Sequence, residues 1–390
     1  MAQFNRPSQA VLDSAVRAYH SRFDKNPCVI SWAPGRINII GEHTDYTGGL
    51  AIPAAINRWV VMVLGPRHDQ RGCVYSTAFK STLEGPITGF GPTEENWTRY
   101  VAGAVDTVVE NSRIAQGFNA LITGDIPLEA GLSSSAALLT ACLKGFWDWG
   151  EIQYDTWKLV TTARDIEHAS LGVPCGLLDP ISSVMSQPGH ASLIDFHHRR
   201  VEPIPISLPD AQWIVVHTGK ERRLADSAYA TRVRECREGL TLCSAQDPSI
   251  QHYRDIPFAM LGGTAPWQMR LRHFAEENTR VEMMDSALRD HDLQLIGELL
   301  RQSHASLRDQ YEVSCLELDT LVEIATTLPG WYGGRMMGGG FGGCTLHLVA
   351  RDCADIFKAR ILERYSRSFP QHSPTALTLE MAAGAATEAL

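Results

Sequence analysis

Residues 33–49 read APGRINIIGEHTDYTGG, and this stretch is unusually dense in polar chemistry. Six polar side chains fall within eleven positions: Arg36, Asn38, Glu42, His43, Asp45 and Tyr46. A solvated loop has no need for such a mix of acid, base, guanidinium and amide. A pocket that holds a ligand with many hydroxyl groups does need it, because each hydroxyl requires a donor and an acceptor once water is excluded. The stretch therefore predicts a binding site for a polar small molecule.

The composition of the chain limits its class. The 390 residues suggest two domains, and a hydrophobic content of 44% is ample for a packed core. The net charge is −9, and no basic run is present. An acidic chain of this kind is a poor candidate for binding nucleic acid or an anionic membrane surface. We therefore expect neither partner.

Cysteine usage and the N-terminus indicate the compartment. The nine cysteines are irregularly spaced and form no C-x-x-C pair, which favours a reducing environment over a disulfide framework or a zinc site. The first residues contain no apolar signal core, and no window approaches the roughly 18 apolar residues of a membrane-spanning helix. We expect a cytoplasmic protein.

Hydrophobic periodicity predicts a mixture of helices and strands, so the fold class is α+β or α/β. Predicted helices cover residues 8–24, 97–111, 133–143, 154–170, 220–239, 266–290, 292–310, 315–327 and 352–366. Predicted strands cover residues 28–33, 59–64, 118–123, 191–196, 213–217, 344–350 and 376–381. The polar motif is expected to hang between the first two strands. A proline-rich passage at residues 203–209 is the candidate domain boundary, and residues 382–390 are expected to fray.

A second motif, PLEAGLSSSAAL, occupies residues 127–138. Gly131 allows close approach of the backbone to a ligand, and three serines follow where a helix should begin. The N-terminus of a helix favours an anion, and serine hydroxyls add donors or a ligand for magnesium. The alternative is an ordinary serine-capped helix. Because the G-x-x-x-x-G-K-[ST] pattern is absent, a nucleotide site here would not be of the P-loop class.

A third motif, GGGFGG at residues 338–343, literally satisfies G-x-G-x-x-G. The dinucleotide fingerprint follows a strand and opens a helix, whereas CTLHLV follows here and predicts a strand. We therefore expect these glycines to form a wall of a phosphate or sugar pocket. A tight hairpin turn is the alternative, which the entropic cost of five glycines in six residues disfavours.

Together, in this order, the three motifs resemble the GHMP small-molecule kinases, and among them the galactokinase family. Weaker matches occur at residues 173–179, 227–232, 303–304, 307–309 and 311–314, so the resemblance extends from about residue 20 to about residue 380. It implies an α+β, two-domain GHMP kinase fold with mixed sheets and helices and an active site in the cleft between domains. The domains would be residues 1–206 and 207–390.

The resemblance also implies an activity, which is ATP-dependent phosphorylation of a free hexose at its anomeric hydroxyl. Galactose is the leading expectation for that hexose. Asp179 would be the catalytic aspartate and Arg36 its partner. Sugar contacts would come from Glu42, His43, Asp45, Gly176 and Tyr229. Gly131, Leu132, Ser133, Ser134, Ser135 and Ala136 would bind ATP, and Ser135 and Glu167 would bind Mg²⁺. The implied partners are the sugar and ATP, with the chain a monomer or weak homo-oligomer.

Two carboxylates have simpler alternatives. Asp179 could be a helix N-cap, since Pro180 suits the first helical position. As a catalytic base it should be ionised at neutral pH, with Arg36 outweighing the effect of burial, and should accept the proton of the sugar hydroxyl. Glu167 could be a solvated carboxylate on its helix.

Four places depart from the family pattern: Pro180, His217-Thr218, Ala228 and Met337. They leave open a kinase for galacturonate or N-acetylgalactosamine; a uronate would call for an additional arginine or lysine in the sugar pocket. A catalytically silent sugar sensor that regulates transcription is a further alternative. Such sensors lose the Ser-Ala pair of the phosphate loop, whereas Ser135, Ala136 and Asp179 are all present here.

Overall fold

The computed structural model describes residues 5–91, 95–110, 116–127, 130–172, 176–220 and 225–390. Its helices α1 to α10 are Gln9–Phe23, Asn96–Glu110, Ser134–Trp149, Thr156–Leu171, Leu178–Met185, Ala225–Gln246, Pro266–Arg289, Leu293–Asp309, Leu316–Thr326 and Ala354–Ser368. Its strands β1 to β12 are Val29–Ile40, Leu50–Pro66, Arg71–Ser76, Ser81–Pro86, Phe118–Gly124, His190–Asp195, Arg200–Pro205, Ala211–His217, Trp331–Met337, Cys344–Ala350, Thr375–Leu379 and Ala386–Ala389. No helix in these ranges is long and apolar enough to cross a membrane.

The first sheet has the order β12-β1-β2-β5-β3-β4, with β6 paired to β2 and β7 paired to β6. Alternation along β2 gives the sheet two apolar faces. Val61 and Val63 join the cluster that includes Leu12 of α1, whereas Met62 and Leu64 join the main core with α2 and α3. Helices therefore cover both faces, and α3 lies directly against β1 and β2.

The second sheet has the order β11-β8-β10-β9 and is antiparallel throughout its described pairs. On one face, Ile214 and Val216 pack with α9 and α10. On the other face, Val215 and Leu346 join the main core, which also contains residues of α7 and α8. This shared core brings the second sheet against the first.

The polar motif does not hang entirely between strands, as the sequence predicted. Its first half continues β1 as far as Ile40, because Ile37 and Ile39 are fully buried and the strand pairs with β2 from Arg36↔Ala55 onward. The remaining residues, 41–49, form the connection to β2; we call it the sugar turn, because it contains the predicted sugar contacts Glu42, His43 and Asp45. It includes a short 3₁₀ helix, Asp45–Thr47.

The prediction of a frayed C-terminus was wrong. Residues 386–389 form β12 and pair with β1, from Val29↔Ala389 to Trp32↔Ala386. An edge strand presents unpaired backbone groups, and β12 satisfies those of β1. Several short elements were also missed: β3, β4, β7, β9 and α5. The predicted helix at 220–239 corresponds to α6, and residues 221–224 of that prediction lie outside the described residues.

Candidate active site

Arg36 and Asp179 form the centre of the site. Arg36 lies on β1 and Asp179 in the first turn of α5; Nε and Nη2 of the guanidinium are 2.7 and 2.6 Å from Oδ1 of the carboxylate. Arg36 Nη1 donates to the carbonyl of Gly131 at 2.7 Å, and the Arg36 backbone N–H donates to the carbonyl of Leu132 at 3.0 Å. The N-cap alternative for Asp179 was wrong, since the cap position of α5 is Leu177.

Ser133 connects the phosphate loop to the same carboxylate. Its hydroxyl donates to Asp179 Oδ2 at 2.5 Å and makes no capping bond to α3. Ser133 has φ 59° and ψ 48°, a left-handed conformation that costs a non-glycine residue about 1–2 kcal/mol. That conformation turns the hydroxyl away from the helix and toward Asp179. A loop predicted to bind phosphate therefore reaches the proposed catalytic base directly.

Ser135 and Glu167 form a second hydroxyl–carboxylate pair. Ser135 Oγ donates to Glu167 Oε1 at 2.6 Å, and Glu167 is buried, so the alternative of a solvated carboxylate was wrong. Burial, with the negative charge of Asp179, raises the pKa of Glu167 to about 7. Among the described residues no group of three His, Cys, Asp or Glu side chains is arranged to hold a metal. The oxygens of Ser135 and Glu167 are nevertheless of the type that a hard divalent cation takes.

Glu42 is held from the second half of the chain. Its Oε1 accepts the backbone N–H of Gly338 at 2.7 Å and Nη2 of Arg335 at 3.2 Å. Burial alone would raise the pKa of Glu42, but the guanidiniums of Arg335 and Arg36 keep it below its usual value. Arg335 is fully buried and also donates to the carbonyls of Asn38 and Ile39 at 2.6 and 2.7 Å. The guanidinium of Arg335 thus joins β9 to β1 at the polar motif.

The four other predicted sugar residues lie together beside Glu42. The ring of Tyr229, on α6, is 5.5 Å from that of His43, and burial lowers the pKa of His43 to about 4, so this ring is neutral near pH 7. Burial, with the negative charge of Asp179, raises the pKa of Asp45 to about 7. Gly176 is required here, because a Cβ on it would lie 1.4 Å from Asp45 Oδ2.

Polar side chains from distant parts of the chain hold the sugar turn in place. Glu277 Oε1 accepts the N–H of Gly41 at 3.1 Å, and Asn278 Oδ1 accepts that of Leu50 at 2.8 Å. Arg254 donates to the carbonyls of Gly48 and Gly49 and forms an ion pair with Asp195 at 2.7 Å. The turn is therefore fixed at both ends by side chains that are distant in sequence.

A cavity of about 470 Å³ opens beside the phosphate loop. Its lining is mostly apolar and includes Val60, Phe79, Trp97, Tyr100, Ile122 and Leu138, with Ser134 and Ser135 at one side. Phe79 and Trp97 are parallel, with ring centroids 5.8 Å apart. The size and apolar character suit a flat heteroaromatic group, and the two serines connect the cavity to the Asp179 centre.

The glycine motif, predicted to form a wall of a phosphate or sugar pocket, lies against Glu42 and Tyr229 and runs into β10 rather than a helix. Gly338 contacts Glu42, and a Cβ on Gly339 would lie 3.9 Å from the Tyr229 ring. Gly340 has φ 82°, and a Cβ there would lie 2.1 Å from the carbonyl of Val313. This wall needs glycine for conformation and for space.

The structure thus brings the predicted site residues around Asp179. Leu132 and Ala136 are buried and contribute backbone and packing, whereas Ser134 faces the cavity. Two predicted segments are incomplete, because residues 128–129 and 173–175 lie outside the described residues. Of the departures, Pro180 and Met337 are buried, and Thr218 donates to the carbonyl of Gly343 at 2.9 Å.

Sequence reasoning gave no role to the supporting residues or to the cavity. Tyr311 fell within a matched segment and Arg335 just before the glycine motif, and nothing local distinguished them from core residues. The cavity draws on β2, the turn after β3, α2, β5 and α3, so no single stretch of sequence encodes it.

Three family models match the chain. The galactokinase galactose-binding signature matches residues 17–66, and the N- and C-terminal domains of GHMP kinases match residues 99–187 and 284–367. A mevalonate kinase from Methanococcus jannaschii has a TM-score of 0.64 at 17% identity over 90% of the chain and 98% of its own, which shows the fold. The fold and the Asp179 centre therefore define a kinase of the GHMP class.

More similar proteins narrow this class. The galactokinase of Chloroflexus aurantiacus is 37% identical over 91% of this chain and 92% of its own, and the human galactokinase is 34% identical over 94% and 95%. A Lactococcus lactis galactokinase complexed with galactose has a TM-score of 0.90 at 31% identity and covers 96% of this chain and 99% of its own. The chain belongs to the galactokinase family.

Proposed function

We propose that the chain transfers the γ-phosphoryl group of ATP to the anomeric hydroxyl of galactose. The observation that carries the proposal is the position of the Asp179 carboxylate, held by Arg36 on one oxygen and by Ser133 on the other. Asp45 and Gly176 lie on its sugar side, and the phosphate loop lies on its nucleotide side. Similarity to galactokinases, one of them solved with galactose, supports the choice of sugar.

Glu42, His43, Asp45, Gly176 and Tyr229 are the proposed sugar-binding residues. Their chemistry is mixed: the carboxylates accept, the phenol both donates and accepts, and the neutral imidazole of His43 offers one donor and one acceptor. Gly176 supplies room. This combination suits a ring whose hydroxyls need both donors and acceptors.

Gly131 to Ala136 are the proposed phosphate-binding residues. The backbone N–H groups at the start of α3 and the positive end of its dipole favour an anion. The apolar cavity beside Ser134 and Ser135 would take the adenine base, with Phe79 and Trp97 against it. The phosphates would then extend from the cavity along the serines toward Asp179.

Mg²⁺ is proposed at Ser135 and Glu167. Their oxygens fit it, and a cation there would offset the repulsion by Asp179 that contributes to the raised pKa of Glu167. When bound, the ion would neutralise part of the phosphate charge.

The chemistry then follows from Asp179. The anomeric oxygen forms a bond to the γ-phosphorus as the bond from that phosphorus to the β–γ bridging oxygen breaks, and ADP leaves. Asp179 accepts the hydroxyl proton as the attack proceeds. Arg36 pairs with this carboxylate and offsets negative charge on the transferred group. Most of the rate enhancement would come from positioning and charge stabilisation.

We also propose that the chain is divided into two domains, residues 1–206 and residues 207–390. The first sheet holds β1 to β7 and the second β8 to β11, so the division follows the sheets up to residue 379. β12 then returns to the first sheet. A monomeric or weakly associating state and a cytoplasmic location stay predictions.

A panel of free sugars tests the function. Galactose, galacturonate, N-acetylgalactosamine and glucose are each incubated with ATP and Mg²⁺, and ADP release is followed with a coupled assay. We expect turnover of galactose, with phosphorus NMR showing a 1-phosphate product. Turnover of galacturonate without galactose would reassign the substrate. Galactose binding with no turnover of any sugar would favour a silent sensor.

A further inference from the structure

The predicted sugar residue His43 lies at the end of a buried chain of hydrogen-bonding groups. Its Nδ1 is 3.0 Å from the hydroxyl of Tyr46, which is 2.5 Å from the hydroxyl of Tyr311. That second hydroxyl is 3.3 Å from Sγ of Cys236 on α6. His43, Tyr311 and Cys236 are all buried. The chain therefore runs from the core of the second half of the molecule to the sugar turn.

The other ring nitrogen of His43, Nε2, is not part of this hydrogen-bonded chain. Nε2 is buried, and within the described residues it has no hydrogen-bond partner. The Gly339 backbone lies close enough to the ring to raise the pKa of His43 as a hydrogen-bonding group does, but Nε2 makes no hydrogen bond of standard geometry within the described residues. A buried polar atom without a partner is costly, which points to a ligand group as its partner.

The direction of the protons along the chain decides what Nε2 offers. Both tyrosines are neutral, since burial raises the pKa of each phenol well above 10. Each phenol therefore has one proton to donate. A phenol is a stronger donor than an imidazole N–H, and an imidazole nitrogen is a stronger acceptor than a phenol oxygen. The favoured arrangement has Tyr311 donating to Tyr46 and Tyr46 donating to Nδ1 of His43.

The thiol of Cys236 completes this arrangement. In the opposite direction, Tyr311 would donate its proton to the sulfur of Cys236. Sulfur is a weak acceptor, and the phenol oxygen of Tyr46 lies closer to Tyr311. In the favoured direction the thiol donates to Tyr311, and each hydrogen bond of the chain contains one proton.

We propose that Tyr46 and Tyr311 are positioning residues that hold neutral His43 with its ring proton on Nε2, so that Nε2–H donates to a hydroxyl oxygen of the sugar. The inference rests on the proposed function for the identity of the ligand. It assigns to the two phenols no contact with the sugar. Their effect is exerted through the tautomer of His43. A merely structural role would leave that tautomer unchanged.

Nitrogen NMR of the full-length protein tests the assignment. The protein is labelled with ¹⁵N-histidine, and the His43 signals are assigned by their loss in His43→Gln. We expect wild-type His43 to be neutral with the proton on Nε2, and galactose to shift the Nε2 resonance more than that of Nδ1. A proton on Nδ1 in the wild type would overturn the proposal, as would a galactose response confined to Nδ1.

The Tyr46→Phe variant gives the second arm, because it removes the hydroxyl and keeps the ring. We expect a mixture of the two His43 tautomers and a KM for galactose raised about 10-fold, the loss of about one hydrogen bond, with kcat and the KM for ATP changed less. Tyr311→Phe should act in the same direction with a smaller effect. Tyr365→Phe is the matched control, since this buried hydroxyl on α10 has no hydrogen-bond partner in the part of the chain that the structure describes.

An unchanged tautomer in Tyr46→Phe would overturn the proposal. The tautomer is read without turnover, so failure of the sugar-kinase assignment would be visible separately: the NMR result would hold and the sugar panel would not.

Discussion

Buried charges support the sugar turn, whereas hydroxyls and the start of a helix support the phosphate loop. Beneath the sugar turn lie two fully buried charged side chains, Arg335 and Glu277. Glu277 accepts the backbone N–H of Gly41, and Arg335 donates to the carboxylate of Glu42. In the phosphate loop, Ser133 and Ser135 donate to Asp179 and Glu167, and an open apolar cavity lies beside them. We expect the sugar side to be the more rigid of the two. On the proposed nucleotide side, phosphate binding would have to replace hydroxyl contacts, so we expect that side to be the more adaptable.

The largest effect should come from the carboxylate that the two regions share. We expect Asp179→Asn to lower kcat by about 10³-fold or more, because the amide cannot accept the sugar proton. Galactose binding, measured by calorimetry, should survive. Asp165→Asn, at an exposed residue of α4, should leave kcat unchanged. Retention of most activity in Asp179→Asn would refute its role as the base.

Removing the buried guanidinium should affect the sugar side next. Arg335→Lys cannot reach Glu42 and the carbonyls of Asn38 and Ile39 together, so Glu42 is left poorly paired. We expect a loss of about 3–5 kcal/mol in the free energy of unfolding, as for a broken buried ion pair, and a KM for galactose raised more than the KM for ATP. Arg289→Lys, at an exposed residue of α7, is the control. Equal changes in both KM values would contradict the asymmetry between the two regions.

The pH dependence of stability should report on Glu167. Its folded pKa of about 7 is above the usual value near 4.5, so the folded state binds this proton more tightly than the unfolded state does. The resulting stabilisation is present below about pH 4.5 and is lost as pH rises to about 7, a change on the order of 3 kcal/mol.

The Glu167→Gln variant tests that pH dependence. Relative to the wild type, it should gain free energy of unfolding between pH 5 and pH 8, measured by urea titration without nucleotide. Glu363→Gln, at an exposed residue, should show no such gain. A parallel pH dependence of wild type and Glu167→Gln would contradict the raised pKa.

The smallest effect should come from the wall of the nucleotide cavity. Phe79 is 46% exposed and lies parallel to Trp97, so Phe79→Ala removes contact area from the cavity at little cost to the core. We expect the KM for ATP to rise about 3- to 10-fold with the KM for galactose unchanged, a difference of about 1 kcal/mol. Phe258→Ala, at another exposed phenylalanine, should leave both values unchanged. A change confined to galactose would place the nucleotide elsewhere.

The sequence revealed those residues whose neighbours in the chain share their task. Glu42, His43 and Asp45 stand within four positions, and the serines of the phosphate loop are consecutive, so density alone marked them. Most long helices were also predicted, because their apolar periodicity extends over several turns.

Features that depend on contacts between distant residues could not be predicted. Arg335 supports the sugar turn only because β9 lies against β1, and its own neighbours predict nothing beyond a glycine loop. The pairing of β12 with β1 joins residues more than 350 positions apart, and its small residues carry no strong strand pattern. The short helix α5 was missed because its eight residues cover barely two turns.

The return of β12 to β1 has a consequence for how the protein is made. The edge of the first sheet is completed by residues 386–389, and Glu388 also pairs with Arg6 near the other end of the chain at 2.6 Å. Because these residues follow every other described strand along the chain, they are the last part of the sheet to be synthesised. The edge of β1 therefore stays unpaired while the other strands are made, which prolongs its exposure to aggregation and to chaperones.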